Sequence, residues 1–131
     1  MKLLTSLFLM VVISCTASAK TKSVTIYFVP WSVTTAVAMN AETVRKIASS
    51  KTEISDPWYA NRFIEWLDEG KMKDESKWKV DDLRLVIDAV QEDGSVITFY
   101  ASRFALGSQK TGKIRLIDNS FRSRFSFYYD E

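Results

Sequence analysis

Histidine is absent from this 131-residue chain, and cysteine occurs once, at Cys15. Without an imidazole there is no serine–histidine or cysteine–histidine nucleophile, no histidine-bearing zinc site, and none of the side chain most used as an acid or base near neutral pH. A single thiol makes neither an intramolecular disulfide nor a cysteine-only metal site. The four glycines leave little material for a phosphate cradle, and no G-x-x-x-x-G-K, G-x-G-x-x-G or G-x-S-x-G pattern occurs. No D-x-[DN]-x-[DN]-G loop offers a calcium site.

Carboxylates remain, in the neighbouring pairs Asp68-Glu69, Asp74-Glu75 and Asp81-Asp82. Sequence neighbours do not face one another on a helix or strand, so adjacency gives no working acid–base pair. These acids read as solvated charge. No catalytic residue, metal ligand or cofactor is therefore assigned.

Residues 1–19 have the form of an export signal, with Lys2 as a short positive region, an apolar run from Leu3 to Ile13, and Ala17-Ser18-Ala19 as a small-residue cleavage site. The run is too short for a membrane-spanning helix of about 20 apolar residues. Val12-Ile13-Ser14-Cys15 also resembles a loose lipoprotein box, in which Cys15 would carry a lipid anchor. The expectation is a periplasmic address, with a lipoprotein or a secreted protein as alternatives. Residues 20–131 then form one domain, which must be held together by a core and not by disulfides.

Charge is unevenly spread along the chain. Residues 53–93 hold six basic against twelve acidic side chains, whereas the segments on either side are net basic. No basic stripe runs free of acids, which argues against nucleic acid as a partner. Arg115, Arg122 and Arg124 are expected near the acidic face of the helix that begins at Pro57, or free to receive an acidic partner.

Leu83–Ala101 is the stretch that organises the rest. Two runs rich in β-branched and aromatic residues flank Glu92-Asp93-Gly94, a hairpin signal. A three-residue loop with Gly94 left-handed gathers Leu83, Leu85, Ile87, Ala89, Ile97, Phe99 and Ala101 on one face. The other face receives Arg84, Val86, Asp88, Val90, Val96, Thr98, Tyr100 and Ser102. A two-residue loop would mix the faces, so the first register is expected.

Upstream, Ser23–Val29 alternates as a strand ended by Pro30, and Val33–Met39 reads as a second extended piece after a corner at Trp31-Ser32, with a helix beginning near Thr35 as the alternative. Asn40 caps a short helix over 41–48, with Val44, Ile47 and Ala48 on its buried face, and Ser49–Thr52 reads as polar loop. Asp56, Pro57 and Gly70 bracket the clearest helix, Pro57–Glu69, whose stripe of Ala60, Phe63, Ile64 and Leu67 is widened by Trp58, Tyr59 and Trp66. Residues 71–79 form a charged connector with Trp78 against the core edge.

Downstream, Arg103–Leu106 continues the hairpin or starts a new strand, 107–112 turns, 113–117 is a strand, and Asp118 caps a last helix over 119–127 with Phe121 and Phe125 one turn apart. The expected fold is α+β: an antiparallel sheet of four to five strands with two to three short helices on one face.

With chemistry largely excluded, recognition is the remaining expectation. The second hairpin face, with Arg84, Asp88, Tyr100 and Ser102, has the composition of an interface, and Trp31 beside Pro30 is a further contact. The whole reads as a small exported, non-enzymatic binder of another protein, of the inhibitor or immunity type. The alternatives are a binder of a small molecule or envelope polymer, with aromatics lining a groove, and a carboxylate-based hydrolase.

Overall fold

The structure, a computed structural model, describes residues 20–68, 72–74 and 80–126. The export signal, Cys15, Gly70 and Trp78 lie outside the described residues. Six strands form one antiparallel sheet, accompanied by three helices: β1 Thr21–Phe28, α1 Ala41–Ile47, β2 Ser50–Ile54, α2 Pro57–Asp68, β3 Leu85–Gln91, β4 Val96–Ala101, β5 Ala105–Ser108, β6 Ile114–Leu116 and α3 Asn119–Ser126. In space the strands run β2-β1-β3-β4-β5-β6. The architecture is α+β, with one more strand than the upper expectation.

The hairpin has the register that its apolar pattern demands. Ala89 stands opposite Ile97, Ile87 opposite Phe99 and Leu85 opposite Ala101, and Gly94 takes φ +84° in the turn. Asp93 tightens that turn by accepting from the Ser95 N–H (2.9 Å) and hydroxyl (2.6 Å). Pairing with β1 extends the apolar face across Val24, Ile26 and Phe28. Upon it pack Ala60 and Leu67 of α2, with Phe63, Ile64 and Trp66, and Phe121 and Phe125 of α3. Trp66 stacks on Phe121 at 5.2 Å, and Phe125 lies 5.3 Å from Phe121. This is the main core, and burial on that scale is what stabilises a domain without disulfides.

The helices do not all share one face. α1 covers part of the opposite side, where Val44 joins Val29, Met39, Leu83 and Val86 in a second, smaller core. Leu83 belongs there because it precedes β3 and escapes the alternation of the strand. Asn40 caps α1 by accepting from the Thr43 N–H (2.8 Å), and the helix closes at Ile47 with Ala48 as its C-cap. Ile47 is 52% exposed, against the expectation that it joins Val44 in the core. A seven-residue helix lying over one row of the sheet buries only its innermost side chain.

Two local expectations are reversed. Val33–Met39 is not a strand: the Val33 carbonyl accepts from Arg84 Nη2 (2.7 Å) and Arg103 Nη2 (2.7 Å), the Met39 N–H donates to Asp82 (3.2 Å), and the main-chain bonds of Val33 N–H to Pro30 O (3.0 Å) and of Leu83 N–H to Met39 O (2.8 Å) form no ladder. Ser50–Thr52, expected within a polar loop, belongs to the edge strand β2, Ser50–Ile54. One of its sides meets water, so polar residues suffice there. At the far end, β5 uses Gly107 and Ser108 from the expected turn.

α2 has the expected start, with Asp56 Oδ1 accepting from the Trp58 (2.9 Å) and Tyr59 (3.3 Å) N–H groups. α3 likewise begins with Asp118 Oδ1 accepting from the Phe121 N–H (2.8 Å). Trp58 and Tyr59, however, do not widen the buried stripe of α2. They are 58% and 61% exposed. The three C-terminal arginines engage carbonyls and rings: Arg115 donates to Leu67 O (2.8 Å), Arg124 lies 4.6 Å over the Trp66 ring, and Arg122 donates to Arg103 O (2.6 Å).

Candidate functional sites

The second face of the sheet holds four of the five residues that the sequence singles out, and gives them different surroundings. Arg84 is only 1% exposed. Its guanidinium donates to Val33 O through Nε (3.1 Å) and Nη2 (2.7 Å), and through Nη1 to Leu83 O (3.1 Å) and Asp82 Oδ1 (2.8 Å). Five N–H donors taken out of water need such a ring of acceptors. Arg84 thus pins the loop after Pro30 against the start of β3 and offers no open contact surface.

Ser102 is buried also, its hydroxyl accepting from the Phe104 and Ala105 N–H groups (both 3.2 Å) at the bend before β5. Asp88 lies one strand row from α1. There it accepts Arg45 Nε (3.0 Å) and Nη2 (2.9 Å) in a two-point pair, and the Thr98 hydroxyl at 2.7 Å. The carboxylate holds the Arg45 guanidinium above its ordinary value, chiefly through that hydrogen-bonded pair. Trp31 is half-buried at the end of the main core, edge-on to Phe28 at 4.9 Å and donating from Nε1 to Arg122 O (3.1 Å). It closes the sheet end.

Tyr100 alone faces an opening. It borders a groove of about 370 Å³ with Met39, Arg45, Asp82, Leu83 and Thr98 among the other lining residues. The ring rests on Gly107 directly across the ladder, where a Cβ would come 3.0 Å from Tyr100 Cε2 and 3.3 Å from Val80 Cγ2. Asp82, at φ +55°, forms part of the rim. The Arg84 guanidinium hydrogen-bonded to it, and secondarily the Met39 N–H, hold its carboxyl below the usual carboxylate value. The groove has the size of a small-ligand site, and its described lining contains one aromatic ring, that of Tyr100. Among the described residues no three acids stand together as a metal-binding group.

A second site was not foreseen from the sequence. In the first turns of α2, Trp58 and Tyr59 meet edge-to-face with ring centroids 4.9 Å apart, and the Arg62 guanidinium lies 4.7 Å over the Trp58 ring. The signal was available in the helix period. Trp58 falls roughly 160° round the helix from Ala60, on the side away from the buried stripe. Ser76 and Lys79 stand three residues apart, the Ser-x-x-Lys spacing, and lie outside the described residues.

The fold and these sites define a single-sheet α+β domain with a groove on one face and an exposed aromatic cluster on the helix covering the other. No family model matches the chain, and neither a curated protein nor a solved structure matches it. No helix among the described residues is long and apolar enough to cross a membrane.

Proposed function

We propose that this chain is an exported protein-recognition domain of the inhibitor or immunity type, acting by contact and not by chemistry. The observation that carries the reading is the Trp58–Tyr59–Arg62 cluster. Two large aromatic side chains stand more than half exposed on a helix whose other apolar residues, Ala60, Phe63, Ile64, Trp66 and Leu67, pack against the core. Each could bury 150–250 Å² against a partner, by the general capacity of such rings, and Trp, Tyr and Arg are the types that dominate interface energetics. The leader pattern around Lys2 and Ala17-Ser18-Ala19, and the absence of cysteine after Cys15, support a periplasmic address. The alternative of a small-molecule or envelope-polymer binder has the groove in its favour.

The test uses crosslinking pull-down from the compartment that receives the exported chain. Trp58→Ala or Tyr59→Ala is expected to weaken the recovered complex by about 2 kcal/mol, roughly thirtyfold, with the urea midpoint of the free protein unchanged. A partner held equally well by the double variant would move the contact away from α2. Recovery of the chain in the cytoplasm with its leader intact would remove the exported part of the proposal.

A further inference from the structure

The two edges of the sheet are finished differently. At the β6 edge, Lys73 and Ile114 exchange both main-chain bonds, at 2.8 and 2.9 Å, so the outward groups of Ile114 are paired. β2 pairs with β1 and has no strand on its other side among the described residues.

Parity shows which groups β2 turns outward. The Val29 N–H donates to Arg84 O, directly opposite in the β1–β3 register, so Ser23, Thr25 and Tyr27 turn their main-chain groups toward β3. Val24, Ile26 and Phe28 then turn theirs toward β2, where they face Ile54, Thr52 and Ser50. Lys51 and Glu53 are left with N–H and C=O pointing away from the sheet. The same parity, carried across to the far edge, puts Ile114 outward, as its bonds to Lys73 require.

We propose that this edge is the contact between two copies of the chain, β2 against β2, antiparallel about a two-fold axis at Thr52. In that register Lys51 stands opposite the partner's Glu53, and Glu53 opposite the partner's Lys51. Each such pair joins outward main-chain groups through two N–H···O bonds. The neighbouring registers that keep outward groups face to face are centred on Lys51 or on Glu53, and they set like charges against each other. Charges on an edge strand ordinarily discourage edge-to-edge pairing. Opposite signs two residues apart do the reverse under a two-fold axis, because symmetry brings unlike charges together.

Both side chains are more than half exposed; among the described residues they pair with each other at 3.6 Å, and Lys51 Nζ lies 5.8 Å from the Tyr27 ring. A five-residue edge buries little area, so the association is weak and concentration-dependent. It goes beyond the contact proposed for α2 and does not depend on it.

Sedimentation equilibrium of the purified chain tests the pairing. The weight-average mass is expected to rise toward that of two copies with concentration. Lys51→Glu and Glu53→Lys should each weaken association by roughly tenfold or more, since symmetry repeats the like-charge pair. Mixing the two single variants should restore it, because one then presents two acids and the other two bases. The double exchange Lys51→Glu/Glu53→Lys should associate like the wild type and serves if a single variant folds poorly. A wild type that stays monomeric to millimolar concentration, or single variants that associate as it does, would overturn the proposal.

Discussion

Arg84 lies under the loop that follows Pro30, and its neighbourhood explains why a strand-alternation reading misplaces it. In a two-faced strand the residue before Leu85 points to the second face, and a charged side chain there reads as solvated. What alternation does not contain is the return of the Val33 carbonyl over that position, 2.7 Å from Arg84 Nη2. A substitution of Arg84 would therefore take its two donors from Val33 O, leaving that carbonyl to Arg103 Nη2 (2.7 Å), and would report on folding before it reported on any partner. Asp82 answers the same guanidinium from the rim of the groove and keeps more exposure. Its folded carboxyl is held below its unfolded value, so its stabilising contribution is whole above the ordinary carboxylate range and is lost as pH falls through the folded value. Urea midpoints taken at pH 7, 4 and 3 are expected to fall more steeply for the wild type than for Asp82→Asn. Asparagine tolerates the left-handed backbone at this position and has no charge to lose. Parallel curves would assign the acid sensitivity to other carboxylates.

Among the elements, the hairpin was the most legible, because a one-residue slip would have sent Leu85, Ile87 and Phe99 to the wrong side. Its turn depends on Gly94. Gly94→Ala forces a Cβ into φ +84° and is expected to cost about 1 kcal/mol, with Gly94→Asn costing less. The measurement is a lowered urea midpoint at unchanged m-value; no change would mean that the turn relaxes to another type. α2 was legible from Asp56, Pro57 and the 3.6-residue stripe, as was the start of α3 from Asp118. β2 was not, since Ser50, Lys51, Thr52 and Glu53 carry little apolar signal, and an edge strand needs little. Val33–Met39 misled for the converse reason. Its β-branched residues satisfy strand propensity, while its backbone is bonded to Arg84, Arg103 and Asp82 side chains that no local pattern reveals.

For the whole molecule, the class of fold followed from the apolar face, but the distribution of helices over two faces did not. α1 carries so few apolar residues that either side of the sheet would have suited it, and only the second core around Val86 decides the matter. The site was legible in part for the same reason. Tyr100 borders the groove as a residue on the second face should, whereas Arg84 lies under the loop after Pro30 and Ser102 is taken up by the bend it sits in. The exposed aromatic cluster required weighing Trp58 and Tyr59 against the helix period and not against their hydrophobicity.

The strand order carries one more consequence, for how the chain comes to be folded. β1 is made first yet occupies an interior place, and its partner on one side, Leu85–Gln91, follows only after two helices and another strand. A chain interrupted before that point holds a two-stranded ladder, which is marginal on its own, with the main-chain groups of Ser23, Thr25 and Tyr27 unsatisfied. The amino-terminal half is thus kept from closing until the rest arrives, a delay that the proposed export would require of it.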